Sequence, residues 1–212
     1  MLTGVNHLAF ITNDMDKTIR FYRDLLELPL VAGVAHSGFR HYFFRISDED
    51  SIAFFSYDEA APMRHKRHGV KTSEPVGFDH VSLGIGSKAE LFALRDRLEA
   101  AGFEVSGPID HGFIWSIYFF DPNGIPLEVS WQYLTFDEPP VLADDDPTPA
   151  ALEGSTPQPG YWPRVTQPTP PEQWHARAGG GYEIRDVALR QGRGHERKDA
   201  VPTDEASSSR TV

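Results

Sequence analysis

Apolar and polar positions alternate along Asn6-His7-Leu8-Ala9-Phe10-Ile11-Thr12. The same alternation returns in Asp79-His80-Val81-Ser82-Leu83-Gly84-Ile85. Each stretch opens with a polar residue and a histidine, and each runs into a segment with helical spacing. Side chains on a strand point to opposite faces in turn. His7, Ala9 and Ile11 therefore share one face and Leu8 and Phe10 the other. In the second stretch His80, Ser82 and Gly84 face away from Val81, Leu83 and Ile85. A fold-sized unit that begins twice in the same way is an internal repeat. Both histidines lie off the face expected to pack against helices.

The elements that follow repeat as well. In the first unit Asn13 or Asp14 can cap a helix whose apolar stripe is Met15, Ile19, Phe21, Tyr22, Leu25 and Leu26, ending at Leu28-Pro29. Strands are expected over Leu30 to Ala35, Phe39 to Ile46 and Ser51 to Tyr57, the last after the turn Ser47-Asp48-Glu49-Asp50. Residues 58–76, with Pro62, Gly69 and Pro75, form a connection. In the second unit Ser87 and Glu90 make a capping box for a helix carrying Leu91, Phe92, Leu94, Leu98 and Ala101, which stops at Gly102. Strands at Glu104 to Ser106, Phe113 to Phe120 and Ile125 to Gln132 complete it, the last two joined by the turn Asp121-Pro122-Asn123-Gly124. The fold class is α+β: a βαβββ module over 1–72, a second over 73–134, and a tail over 135–212. Laying the modules over each other sets Tyr42-Phe43-Phe44 against Tyr118-Phe119-Phe120 and Phe54 against Glu128.

Composition changes the picture mainly beyond Tyr133, where most of the chain's 17 prolines fall together with the triplet Asp144-Asp145-Asp146 and runs of Gly and Ser. Extended or disordered chain is expected there. Tyr161, Trp162 and Trp174 are the exceptions, apolar enough to dock on the modules or on a partner. Twenty Lys and Arg against 31 Asp and Glu leave a net charge of -11. That balance opposes nucleic acid and anionic membrane as partners, since both need a positive field. No apolar run is long enough to span a bilayer, and no signal-peptide pattern opens the chain. Without cysteine there are no disulfides and no thiolate ligands. A cytoplasmic protein is the default expectation.

Candidate chemistry rests on three residues. Glu128 interrupts an apolar strand, flanked by Leu127 and Val129, and alternation sets it off their face as His7 and His80 are set off theirs. A carboxylate on an enclosed sheet face needs a cation or hydrogen-bond donors. Two imidazoles and a carboxylate from three strands of one curved sheet suit a divalent metal, and open positions beside them are the pattern of non-haem Fe(II) oxygenases. Mn, Zn, Co or Ni are also compatible. Taken singly, each histidine reads as a polar residue at a strand start and Glu128 as the partner of an arginine.

The chain resembles the vicinal oxygen chelate superfamily, which includes glyoxalase I, fosfomycin-resistance proteins, methylmalonyl-CoA epimerase and type I extradiol dioxygenases. The resemblance lies in Asn6-His7-Leu8-Ala9-Phe10, Asp79-His80-Val81-Ser82-Leu83 and the run from Ser116 to Glu128 through Asp121-Pro122-Asn123-Gly124. It implies paired modules cupped around a metal, with His7, His80 and Glu128 as ligands. Glyoxalase I and the epimerase take a fourth ligand from the strand that carries Phe54, and phenylalanine cannot ligate. Fosfomycin-resistance proteins surround a phosphonate with cations, which Pro108-Ile109-Asp110-His111-Gly112 lacks. Extradiol dioxygenases place a tyrosine ten residues before the glutamate, the spacing of Tyr118 and Glu128. They also use an upstream histidine near the place of His111, and another at the end of the preceding module, where His65 is the nearest candidate.

The resemblance thus implies an Fe(II) extradiol-type dioxygenase of the single-domain kind, acting on a catechol-like aromatic and O2. Tyr118 would donate to substrate oxygen, His111 would move protons, and the assembly is expected to be a homo-oligomer. The alternatives are a metal-dependent isomerase, lyase or conjugating enzyme, and a binding protein without metal.

Overall fold

In the computed structural model, residues 4–36, 38–73 and 77–197 are described. The first module runs β1 (His7–Thr12), α1 (Met15–Ile19), β2 (Leu30–His36), β3 (Phe39–Arg45) and β4 (Ser51–Ser56). The second runs β5 (Val81–Gly84), α2 (Lys88–Ala100), β6 (Ser106–Asp110), β7 (Ile114–Phe120) and β8 (Pro126–Gln132). The repeat extends to the strand order: β1-β4-β3-β2 in one sheet and β5-β8-β7-β6 in the other. In each sheet the first strand pairs parallel with the last, and the other pairings are antiparallel.

The caps follow sequence chemistry. Asp14 accepts from Lys17 N at 2.9 Å to start α1, and Ser87 accepts from Glu90 N at 3.2 Å to start α2. Beyond Ile19 the first helix widens into a π-helical stretch, Arg20–Leu25, in which Leu26 N donates to Phe21 O. That stretch buries Phe21 and Tyr22, two adjacent aromatic rings that would diverge by 100° on a regular α-helix.

The helix-side faces of both modules enter a common core. Tyr22, Phe44, Ile52 and Phe54 from the first module lie in one cluster with Leu91, Leu98, Ile117, Phe119 and Leu127 from the second. Phe21 meets Phe103 at 4.9 Å between ring centroids. A buried polar network crosses the same junction. Thr12 Oγ1 donates to Asn123 Oδ1 at 2.7 Å, and Tyr22 OH to Asp121 Oδ2 at 3.1 Å. The Asp121-Pro122-Asn123-Gly124 turn of one module is therefore anchored on the first strand and helix of the other.

Register corrects the overlay of the two modules. Ser82, two residues after His80, pairs with Glu128, whereas Ala9, two residues after His7, pairs with Ala53. Across the sheet Glu128 faces Tyr118, and Ala53 faces Phe43. The position matching Glu128 is thus Ala53, and Phe54 points to the opposite, core side. A slip of one residue reverses the face of a strand, and the aromatic runs 42–44 and 118–120 look alike in either register. Alanine cannot ligate either, so this sheet still supplies no fourth ligand from β4.

Most of the described tail carries no helix or strand. Helix α4 (Tyr182–Arg190) belongs to the same compact unit as the two modules. Residues 134–179 and 195–197 belong to a second unit, with a short helix α3 (Pro149–Leu152) and a 3-10 turn at Pro171–Gln173. Tyr161, Trp162 and Trp174 are exposed, the first two in edge contact with each other and the indole of Trp174 donating to Thr169 O. No helix among the described residues is long and apolar enough to cross a membrane.

Candidate metal centre

β8 carries Glu128 on the face opposite the core, and β5 begins just after His80, so both side chains reach the same side of the second sheet. His80 Nε2 lies 2.9 Å from Glu128 Oε2. Two donors bound at right angles to one divalent ion, each about 2.1 Å from it, lie about 3 Å apart, so the pair has the spacing of neighbouring ligands. Glu128 is only 5% exposed. Its burial pushes the carboxyl's pKa upward, but the hydroxyls of Ser116, Tyr118 and Ser82 and the ring of His80 outweigh this and hold it below the ordinary value. The acid is kept as a carboxylate, the form a metal needs. On its other side the His80 ring meets Asp79, with Nδ1 to Oδ1 at 2.6 Å. A carboxylate behind a histidine is the usual way a metal ligand is oriented.

A cavity of about 440 Å³ opens in front of His80, lined among others by His65, His68, His111, Tyr118 and Phe120. The two catalytic candidates meet there: His111 Nε2 is 2.8 Å from Tyr118 OH. Burial raises the Tyr118 pKa, and the Glu128 charge adds to it, so the phenol stays a donor at neutral pH.

His68 was missed in the sequence. Its ring lies 5.0 Å from Tyr118 and 5.7 Å from His80, and its Nε2 is buried with no hydrogen-bond partner. Burial, and then the neighbouring His80, lower its pKa, which favours the neutral ring. The sequence signal nearest to it is the basic run Arg64-His65-Lys66-Arg67-His68 in the connection. His65, the candidate chosen there, is exposed and packs on Phe120 at 4.1 Å.

His7 is not brought to this place. It lies on β1 in the first sheet, where its ring packs edge-on against Phe43 at 5.8 Å and its Nδ1 meets Asn6. His41 lies beside it, stacked on Phe55, with Nε2 buried and unpartnered and its pKa lowered by burial and by His7. Among the described residues no three His, Asp or Glu side chains come together to hold a metal. The expectation that three strands of one sheet converge is therefore corrected. The strands lie in two sheets whose apolar faces share a core, which turns the two histidine faces outward. Within one chain the donors fit a metal as a two-ligand half-site.

The profile of the Glyoxalase/Bleomycin resistance protein/Dioxygenase superfamily matches residues 4–129. The chain belongs to this superfamily. A probable lactoylglutathione lyase from Synechocystis is 24% identical over 131 residues, covering 58% of this chain and 91% of the relative. The metallothiol transferase FosB of Shouchella clausii is 27% identical over 134 residues, covering 61% and 80%. Among solved structures, a glyoxylase/bleomycin resistance protein/dioxygenase domain from Frankia matches with a TM-score of 0.54 at 23% identity, covering 63% of this chain and all of that one. This last likeness bears on the fold, and it agrees with the two four-stranded mixed sheets described above.

Proposed function

We propose that the chain is a metal-dependent enzyme of this superfamily, with a divalent ion held by His80 and Glu128 and completed by His7 of a second copy. The observation that carries this reading is the 2.9 Å approach of His80 Nε2 to Glu128 Oε2 beside a cavity that also holds a phenol and three further imidazoles. β1 and β5 are both edge strands of their sheets, and each has its histidine at or just before its start. On β1 the His7, Ala9 and Ile11 side chains are exposed. An exposed edge of this kind is a template for pairing. A second copy that brings β1 beside β5 supplies the third ligand.

Bound there, the ion would act as a Lewis acid on a substrate chelated through neighbouring oxygens. The chain's own groups do the rest. Tyr118 donates a hydrogen bond toward substrate oxygen, and His111, 2.8 Å from the phenol, relays its proton. Phe120 and Ile109 add apolar surface to the cavity lining. The reading that fits best is a non-oxidative reaction through an enolate or oxyanion: a lyase, an isomerase or a conjugating enzyme. The names of the lyase and the thiol transferase relatives lean the same way.

A second reading is extradiol cleavage of a catechol-like aromatic with Fe(II) and O2. The Tyr118–His111 pair, placed ahead of Glu128, favours it. Turnover with oxygen excluded supports the first reading, with Mn, Zn, Co or Ni as candidate metals. Oxygen uptake against catechols in the iron-loaded protein supports the second. Failure of the purified protein to take up any divalent metal would contradict both.

A further inference from the structure

Part of the segment that joins the two modules is fastened at the Asp79 carboxylate. Asp79, directly before His80, uses both of its oxygens. Oδ1 meets His80 Nδ1 at 2.6 Å and accepts from Gly69 N at 2.9 Å, while Oδ2 pairs with the Lys66 ammonium. His68 lies between those two attachment points, and its ring is 5.0 Å from Tyr118 and from Phe120. His65, Arg67, His68, Gly69 and Val70 form one wall of the cavity. One side chain therefore holds both the back of a ligand histidine and the wall of the space in front of it.

Each half has a physical consequence. When His80 donates Nδ1–H to Asp79, the ring cannot swing, and Nε2 keeps its lone pair on the side of Glu128. With Lys66 and Gly69 bound to the same carboxylate, the connecting segment is held where it closes the cavity. Anything that tightens one set of contacts places the carboxylate for the other. Coupling of this kind works in both directions.

We propose that Asp79 is a positioning residue that couples the orientation of His80 to closure of the 65–70 wall, so that metal uptake and formation of the substrate cavity reinforce each other. The inference rests on the reading that His80 and Glu128 hold a divalent metal. No other residue of the connection has to touch the metal for the coupling to work.

The test uses the full chain and Co(II) alone. Co(II) affinity is measured by calorimetry for wild type, Asp79→Asn and Lys66→Met, and amide hydrogen exchange is followed across 65–70 with and without the ion. Asp79→Asn should weaken Co(II) binding by about 10- to 100-fold, the usual cost of losing a carboxylate behind a ligand histidine. Lys66→Met, at a partly exposed side chain that never meets His80, should weaken it severalfold through Asp79. Co(II) should slow exchange at Gly69 in wild type and leave it unchanged in Asp79→Asn. Equal Co(II) affinity in all three proteins, or Gly69 exchange indifferent to Co(II) in wild type, overturns the coupling while leaving the metal site standing. A wild-type chain that binds no Co(II), Mn(II), Zn(II) or Fe(II) removes the metal reading, and the coupling falls with it.

Discussion

Burial works against the Glu128 charge, but three hydroxyls and an imidazole hold its pKa below the ordinary value. Glu128→Gln keeps the shape and removes the charge, so metal affinity should fall by well over the roughly 10- to 100-fold that loss of a supporting partner costs. Calorimetry checks this, with circular dichroism to confirm that the fold persists. Tyr118→Phe should separate binding from chemistry. Its hydroxyl meets His111 as well as Glu128, so metal affinity should fall severalfold at most while kcat drops by about 10²- to 10⁴-fold, the usual contribution of a positioned proton donor. Much of this was legible in the sequence, because period two alone puts His80, Ser82, Glu128 and Tyr118 on one face of their sheet. His68 was not. It lies on an irregular connection, where no periodicity says which way a side chain points. The role of Asp79 was hidden for the same reason, since its partners Lys66 and Gly69 come from that connection.

Between elements, the turn from Asp121 to Gly124 was legible as a turn but not as a joint between modules. Asp121 accepts from Tyr22 OH, Asn123 Nδ2 and the backbone N–H groups of Asn123 and Ile125. Burial nonetheless outweighs these bonds and raises its pKa from the ordinary 3.8. A raised carboxyl pKa means the folded chain binds more protons than the unfolded one between the two values. Stability from this group is therefore full below the ordinary value and falls as pH rises through that window to the raised one. Asp121→Asn should flatten that part of the pH profile, as read by chemical denaturation across the acid range. Close packing between strands is tested at Gly33, where an added Cβ would come within 2.3 Å of the Tyr42 ring. Gly33→Ala should destabilise the fold by about 1–3 kcal/mol, read as a lowered denaturation midpoint. The strands and caps were legible because their signals are local. The register of β4 was not, because Ala53-Phe54-Phe55 offers apolar side chains to either face and only cross-strand pairing selects one.

At the scale of the whole molecule, the repeat that opens the chain becomes two sheets sharing one apolar core. That shared core turns the His7 face and the His80 face outward, so one chain brings His80 and Glu128 together on its second sheet and leaves His7 apart on its first. The sequence shows that both histidines leave the core side, and it cannot show whether the two faces meet within a chain. Intermolecular completion predicts that His7→Ala and His80→Ala each lose the full-affinity site. The most direct measurement is to mix these two variants after reversible dissociation and titrate the mixture with Co(II). Each mixed pair then holds one unaltered His7 facing one unaltered His80, and tight Co(II) binding should return in the mixture although neither variant alone shows it. A mixture that binds no better than its separate components, or a His7→Ala protein that binds Co(II) as wild type does, would contradict the account.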